Sequence, residues 1–275
     1  ELASALVDVK VAHSDAKKNI RGQFGHTVEM VRGPGNRIFY RTDVDRLAVA
    51  VTEPAPFRIE IETPPTPILQ RGSLNLKVRA IRDEGFDNPI TLRLPWKPPG
   101  VSSAGTISLP KGKNEIDYPL TANSSAAVGT WHLAVLGEAN TKTGPVIVSS
   151  ALTELRVEQP YVNIKIEMAA IERGQSGDLL CKVEQLRPFD GEAEVRLSGL
   201  PAHTSTEPRK ITKETEELIF PIASTKDARA RTSKTLFTAI RIPWNGHLLT
   251  QTAASGGQLR IDNPPKPRKN APPKP

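Results

Sequence analysis

Leu155-Arg156-Val157-Glu158-Gln159-Pro160 returns as Leu259-Arg260-Ile261-Asp262-Asn263-Pro264, and this recurrence decides the fold. Each hexapeptide alternates apolar and polar residues and is stopped by a proline, the pattern of a strand with one buried face. Upstream of these closures, Phe86-Asp87 with Leu92-Arg93-Leu94 returns as Phe189-Asp190 with Val195-Arg196-Leu197, and Arg71-Gly72 returns as Arg173-Gly174. The offsets are 102, 103 and 104 residues, so residues 57–160 and 161–264 are two copies of one pattern. A period near a hundred is too long for a solenoid unit. It fits a β-sandwich domain with a core of its own.

Between the closures, short runs alternate in the same way. Phe57-Arg58-Ile59-Glu60-Ile61-Glu62 is matched by Ile164-Lys165-Ile166-Glu167, and Leu74-Asn75-Leu76-Lys77-Val78 and Ile90-Thr91-Leu92-Arg93-Leu94 add further strands. Turn signals such as Asp87-Asn88-Pro89 and Lys111-Gly112-Lys113-Asn114 separate them. No stretch holds a helical period over three turns. The fold class predicted from these runs is all-β: tandem antiparallel two-sheet β-sandwiches, each of about seven short strands, over residues 55–160 and 161–264. Residues 1–54 read as the C-terminal half of a truncated third copy. There Leu6-Val7-Asp8-Val9-Lys10-Val11 resembles the strand around Tyr118-Pro119-Leu120, and Leu47-Ala48-Val49-Ala50-Val51-Thr52-Glu53-Pro54 closes as the full copies do. On this reading its first strands lie upstream. The joints Pro54-Ala55-Pro56 and Glu158-Gln159-Pro160 are short and stiffened by proline. Residues 265–275 mix Pro and Lys without apolar content and are expected to be a disordered tail.

Composition narrows the function classes. Of the formal charge of +7, four charges come from Lys266, Arg268, Lys269 and Lys274, which leaves the body near +3. That is too little for a nucleic-acid footprint, and no nucleic-acid partner is expected. No run of eighteen apolar residues offers a membrane span. Cys181 is the single cysteine, so no internal disulfide forms. Aligned with Leu76 of the first copy, it reads as a small buried hydrophobe and not as a reactive thiol.

Gly85-Phe86-Asp87-Asn88-Pro89-Ile90, then Pro98-Pro99-Gly100-Val101 and Gly129-Thr130-Trp131, resemble the bacterial immunoglobulin-like domains found in tandem in large secreted or surface proteins. The likeness is to planctomycete-type arrays, often carried beside pre-peptidase C-terminal domains. The second copy departs from it, with Gly199-Leu200-Pro201-Ala202 and Ser233-Lys234-Thr235 at the matching places. The resemblance implies an extracellular, cell-surface or periplasmic location, other domains of the same polypeptide as partners, and a surface protein or polysaccharide as a further one. It transfers no catalytic site.

The residues themselves assemble no chemistry. His13, His26, His132, His203 and His247 are scattered, and there is no nucleophile elbow, phosphate loop or dinucleotide fingerprint. The expectation is therefore a non-enzyme with no cofactor, no metal, and no catalytic or cofactor-binding residues; no ligand-binding residue is singled out. Asp83, Glu84 and Asp87 could offer oxygens to Ca²⁺, with Glu184, Asp190 and Glu192 as their counterparts. The alternative has Asp87 and Asp190 bonding their own turns while Phe86 and Phe189 plug the core. Asn123-Ser124-Ser125 is a glycosylation sequon by pattern. Trp131 is expected to face the core with Leu133 and Val135, and Trp96 to be partly exposed on a loop; Trp96, Trp131 and Trp244 occupy non-equivalent places. The function expected is a structural spacer or interaction array in a larger bacterial secreted or surface protein. The alternative is a glycan- or protein-binding accessory module of a secreted hydrolase.

Overall fold

The computed structural model describes residues 4–12, 21–34, 37–253 and 257–264. The expected tail at 265–275 lies outside the described residues. Glu1–Ala55 and Pro56–Pro275 form two compact units, and every described element is a strand apart from one short helical turn.

The smaller unit contains β1 (Ser4–Val7), β2 (Lys10–Ala12), β3 (Arg21–Gln23), β4 (His26–Arg32), β5 (Ile38–Val44) and β6 (Leu47–Ala50). Among the described residues its pairs are antiparallel: β1 with β6, β2 with β3, and β4 with β5.

The first repeat folds as β7 (Phe57–Ile61), β8 (Ile68–Leu69), β9 (Gly72–Arg82), β10 (Ile90–Arg93), β11 (Val101–Ser103), β12 (Ile107–Leu109), β13 (Glu115–Ala122), β14 (Gly129–Leu133), β15 (Leu136–Thr141), β16 (Gly144–Ser149) and β17 (Thr153–Glu158). One layer runs β7-β9-β13-β11. The other runs β12-β10-β15-β16, continued by β14-β17-β8 where the two long strands bend. Crossing from β7 in one layer to β8 in the other, with β8 parallel to β17, gives the strand arrangement of an immunoglobulin-like sandwich. The alternation read from the sequence sets which side chains face inward. Along β13, Tyr118, Leu120 and Ala122 are buried between exposed neighbours, because successive residues of a strand point to opposite faces.

The second repeat folds as β18 (Val162–Ile166), β19 (Met168–Glu172), β20 (Ser176–Gln185), β21 (Ala193–Ser198), β22 (Thr204–Ser205), β23 (Arg209–Ile211), β24 (Glu217–Ser224), β25 (Arg231–Ser233), β26 (Phe237–Trp244), β27 (His247–Ala253) and β28 (Gln258–Asp262). Its pairing repeats the first, including the parallel pair β19-β28. The pure antiparallel pattern therefore gains one parallel pair per sandwich. Seven strands become eleven segments, since the first and the fourth strands switch layers (β7 to β8, β11 to β12) and the last two bend midway. Asn245-Gly246, at φ 47° and 80°, closes the two-residue turn between β26 and β27, a conformation that favours this dipeptide.

Two apolar cores result, one around Phe57, Leu76, Tyr118 and Leu155, the other around Ile164, Cys181, Phe220 and Leu259. Strand register corrects two sequence alignments. Val78 lies opposite Ile116 and Cys181 opposite Leu218, while Leu76 faces Tyr118 as Leu179 faces Phe220. Cys181 thus replaces Val78, not Leu76. Likewise the left-handed residue of the turn is Arg71 (φ 59°) in one copy and Gly174 (φ 83°) in the other, so the matching Arg-Gly letters sit one place out of structural register.

A nested pattern recurs three times. The pair β14-β17 encloses the hairpin β15-β16, β25-β28 encloses β26-β27, and β1-β6 encloses β4-β5. Leu6 pairs with Ala48 of β6, which places it in the role of β14 and not, as the sequence suggested, in that of the strand around Tyr118.

Candidate functional site

The most developed arrangement in the larger unit is the junction of its two sandwiches. It begins at the turn Leu69-Gln70-Arg71-Gly72. β7 pairs with β9 only from Val78 onward, so the start of β9 keeps an edge free of β7. β27 of the second sandwich fills it, with Thr250 opposite Ser73 and Gln251 opposite Gly72. The two sandwiches thereby share one eight-stranded sheet. The Arg71 carbonyl accepts both the Thr252 amide and its Oγ1, each at 2.7 Å. Gly72 is required by close approach: a Cβ there would stand 2.5 Å from the Thr250 carbonyl oxygen and 2.7 Å from that of Leu69. Leu69, part of the first repeat, is buried in the core of the second.

The linker is tied down as firmly. Gln251 is fully buried, and its amide bridges the linker's exit: Oε1 accepts the Tyr161 amide at 2.9 Å and Nε2 donates to the Val162 carbonyl. Arg187 reaches back across the joint, donating to Glu158 Oε2 at 2.9 Å and to the Gln159 carbonyl at 3.2 Å, with its guanidinium 4.3 Å from the Tyr161 ring centre. Arg156 of the first sandwich lies 5.6 Å from the ring centre of Trp244 of the second. Beside these groups Tyr161, Phe189, Asp190 and Trp244 line an open groove of about 330 Å³.

The residues singled out in the sequence fall elsewhere and apart. Asp87 is paired with Lys111 at 3.4 Å, Phe86 stacks on Phe57 with ring centres 5.3 Å apart, and Arg82 covers Phe86. In the counterpart turn Glu192 takes Lys210 at 2.7 Å, Glu184 takes Asn163 at 3.1 Å, and Phe189 enters the core. Neither aspartate uses its side chain to bond its own turn among the described residues, so the Phe part of that reading holds and the Asp part does not. No three His, Cys, Asp or Glu side chains converge among the described residues. His26, His132, His203 and His247 are exposed and separate, and His13 lies outside the described residues. Cys181 is buried, and burial, with Glu167 adding to it, pushes its thiol up to about 12. In the sequon, Asn123 Oδ1 accepts the Ser125 amide and hydroxyl, each at 2.9 Å.

One pair was missed by sequence reasoning. The Trp96 and Trp131 rings lie 5.7 Å apart, tilted by 46°. Trp131 packs partly against the first core and donates its ring N–H to the Ala127 carbonyl at 2.9 Å, while Trp96 remains 47% exposed. Alternation along β14 places Trp131, but nothing local links it to a loop residue thirty-five positions earlier.

No family model and no curated protein matches this chain. Among solved structures it is similar to a protein of unknown function from Porphyromonas gingivalis W83, at 9% identity and TM-score 0.28, over 75% of this chain and 100% of that one. It is similar to the fibronectin(III)-like modules of Clostridium thermocellum CbhA, at 9% identity and TM-score 0.27, over 74% and 94%. It is also similar to the D0-D1 domain of Intimin, at 12% identity and TM-score 0.25, over 74% and 96%. The assignment as immunoglobulin-like rests on the strand topology.

Proposed function

We propose that this chain is a non-catalytic structural and interaction array, part of a larger bacterial secreted or cell-surface protein, with successive sandwiches at 55–160 and 161–264 and the later half of another at 1–54. The observation that carries the reading is the joint between the two sandwiches. A shared sheet, a leucine inserted into the neighbour's core and a clamped linker hold two domains at one angle, which suits a spacer and not a hinged enzyme. Inter-domain contacts are commonly polar and permit motion unless they are extensive and apolar. The test is a distance distribution between spin labels on the exposed positions Asp117→Cys and Lys213→Cys, one per sandwich, with Cys181 buried and silent. A single narrow distribution is expected; a broad one would refute the spacer reading.

A second reading is favoured by one observation, the exposed Trp96 beside Trp131. Such a pair is a surface on which a sugar ring of a polysaccharide, or an apolar side chain of a protein, can stack. Polysaccharide binding that disappears in Trp96→Ala while the fold persists would move the assignment to an accessory binding module. Background binding in both proteins leaves the spacer reading in place.

A further inference from the structure

The smaller unit carries an apolar face that its own described strands do not cover, and the two complete sandwiches show what belongs there. Aligning the closing prolines Pro54, Pro160 and Pro264 sets Val49 with Leu155 and Leu259, and Val51 with Val157 and Ile261. Strand pairing agrees: Val49 lies opposite Ala5 as Leu155 lies opposite Trp131, and Val7 opposite Leu47 as Leu133 opposite Thr153. In the complete sandwiches Leu155, Val157, Leu259 and Ile261 are at most 1% exposed. Val49 and Val51 are 46% and 63% exposed, and Val7, the counterpart of the buried Leu133, is 41% exposed. The same positions in the same fold are thus core in two copies and open in the third.

The missing cover has a definite form. Beside β17 runs β8, parallel to it, and beside β28 runs β19, also parallel; the opposite layer comes from β7, β9 and β13, or β18, β20 and β24. Among the described residues, β6 pairs with β1 alone. A strand with one open edge and an apolar face accepts another strand through main-chain hydrogen bonds, with alternate side chains giving the fit. We propose that the open face of residues 4–51 receives the front half of an immunoglobulin-like sandwich, of the β7–β13 kind, carried on the same polypeptide ahead of Ser4. One of its strands adds parallel to β6. Chain order favours this source, because the front half precedes the back half in both complete copies, with only short loops from Ala122 to Gly129 and from Ser224 to Arg231. The inference rests on the tandem-array reading, yet its test concerns the smaller unit alone, so it can fail while the fixed joint of the larger unit stands.

The test places a thiol on the open face. Val49→Cys in the 275-residue chain is expected to react with a maleimide at nearly the rate of a free cysteine, Cys181 being buried. Joining a surrogate front half ahead of residue 1, either residues 56–127 or residues 161–229 of this chain, is expected to slow that reaction at least tenfold. It should also slow amide exchange across residues 47–51. A slow thiol in the unextended monomer would mean that the chain already covers the face, and would overturn the proposal. Protection that grows with concentration alongside a dimeric mass would assign the face to a second copy and equally overturn it. So would a thiol rate unchanged by both surrogates.

Discussion

Thr252 donates twice to the carbonyl of Arg71, through its amide and its hydroxyl, each at 2.7 Å, across 181 residues of sequence. The acceptor residue stands in the left-handed region at φ 59°, and its carbonyl oxygen meets the next sandwich there. Thr252→Val keeps the shape and the amide bond and loses only the hydroxyl. We expect a cost of about 0.5–1 kcal/mol in urea unfolding and no change in the distance between the sandwiches.

Leu69→Ala should act at a distance in sequence. The side chain leaves a cavity in the second core, with an expected loss of about 2–5 kcal/mol. The check is hydrogen exchange resolved by segment: amides of β26–β28 should speed up more than those of β13. Equal effects in the two sandwiches would contradict the placement of Leu69.

Gly72→Ala drives a methyl group into two carbonyl oxygens, neither the end of a flexible side chain. The expected cost is about 1–3 kcal/mol, with a wider spread of inter-sandwich distances. Ser73→Ala, next door and exposed, should change stability by less than about 0.5 kcal/mol, which separates the crowding from any general sensitivity of the turn.

Cys181 should be replaceable by valine, the residue at its structural equivalent Val78. Cys181→Val is expected to cost less than about 1.5 kcal/mol as a near-isosteric core exchange. The pH dependence has a definite sign. The folded thiol titrates near 12, above its unfolded value near 9, so the folded state holds its proton more tightly. Its contribution is complete below pH 9 and is lost as the pH rises toward 12. The stability difference between the native chain and Cys181→Val should therefore shift against the native chain over that window. A constant difference would show the thiol to be accessible.

Trp96→Ala should remove the tilted ring contact with Trp131 and cost about 0.5–1.5 kcal/mol beyond its area burial, read as a lower midpoint of urea unfolding for the first sandwich. Trp131→Ala, which loses core packing and a hydrogen bond as well, should cost more. The reverse order would contradict the placement of the two rings.

What the sequence determined by itself is local in kind. Period-two alternation in Phe57–Ile61 or Leu74-Asn75-Leu76-Lys77-Val78 states which side chains point inward, and Lys111-Gly112-Lys113-Asn114 states where a turn falls, because both follow from the geometry of a few consecutive residues. The hundred-residue recurrence extends that to repeated sandwiches. What alternation cannot specify is the surface a buried side chain meets. Leu69 reads as one more strand residue of the first repeat, and only the tertiary structure puts it in the core of the second. Arg71-Gly72 reads as a repeated turn motif, but the structure shifts its counterpart by one residue and docks β27 of the second sandwich on the first copy's turn. Trp96 and Trp131 form a pair only because a loop folds over the end of the sandwich. Val49 and Val51 carry the same alternation as Leu155 and Val157, yet they are exposed. The pattern fixes a strand's apolar face, and burial depends on whether another layer is there to cover it.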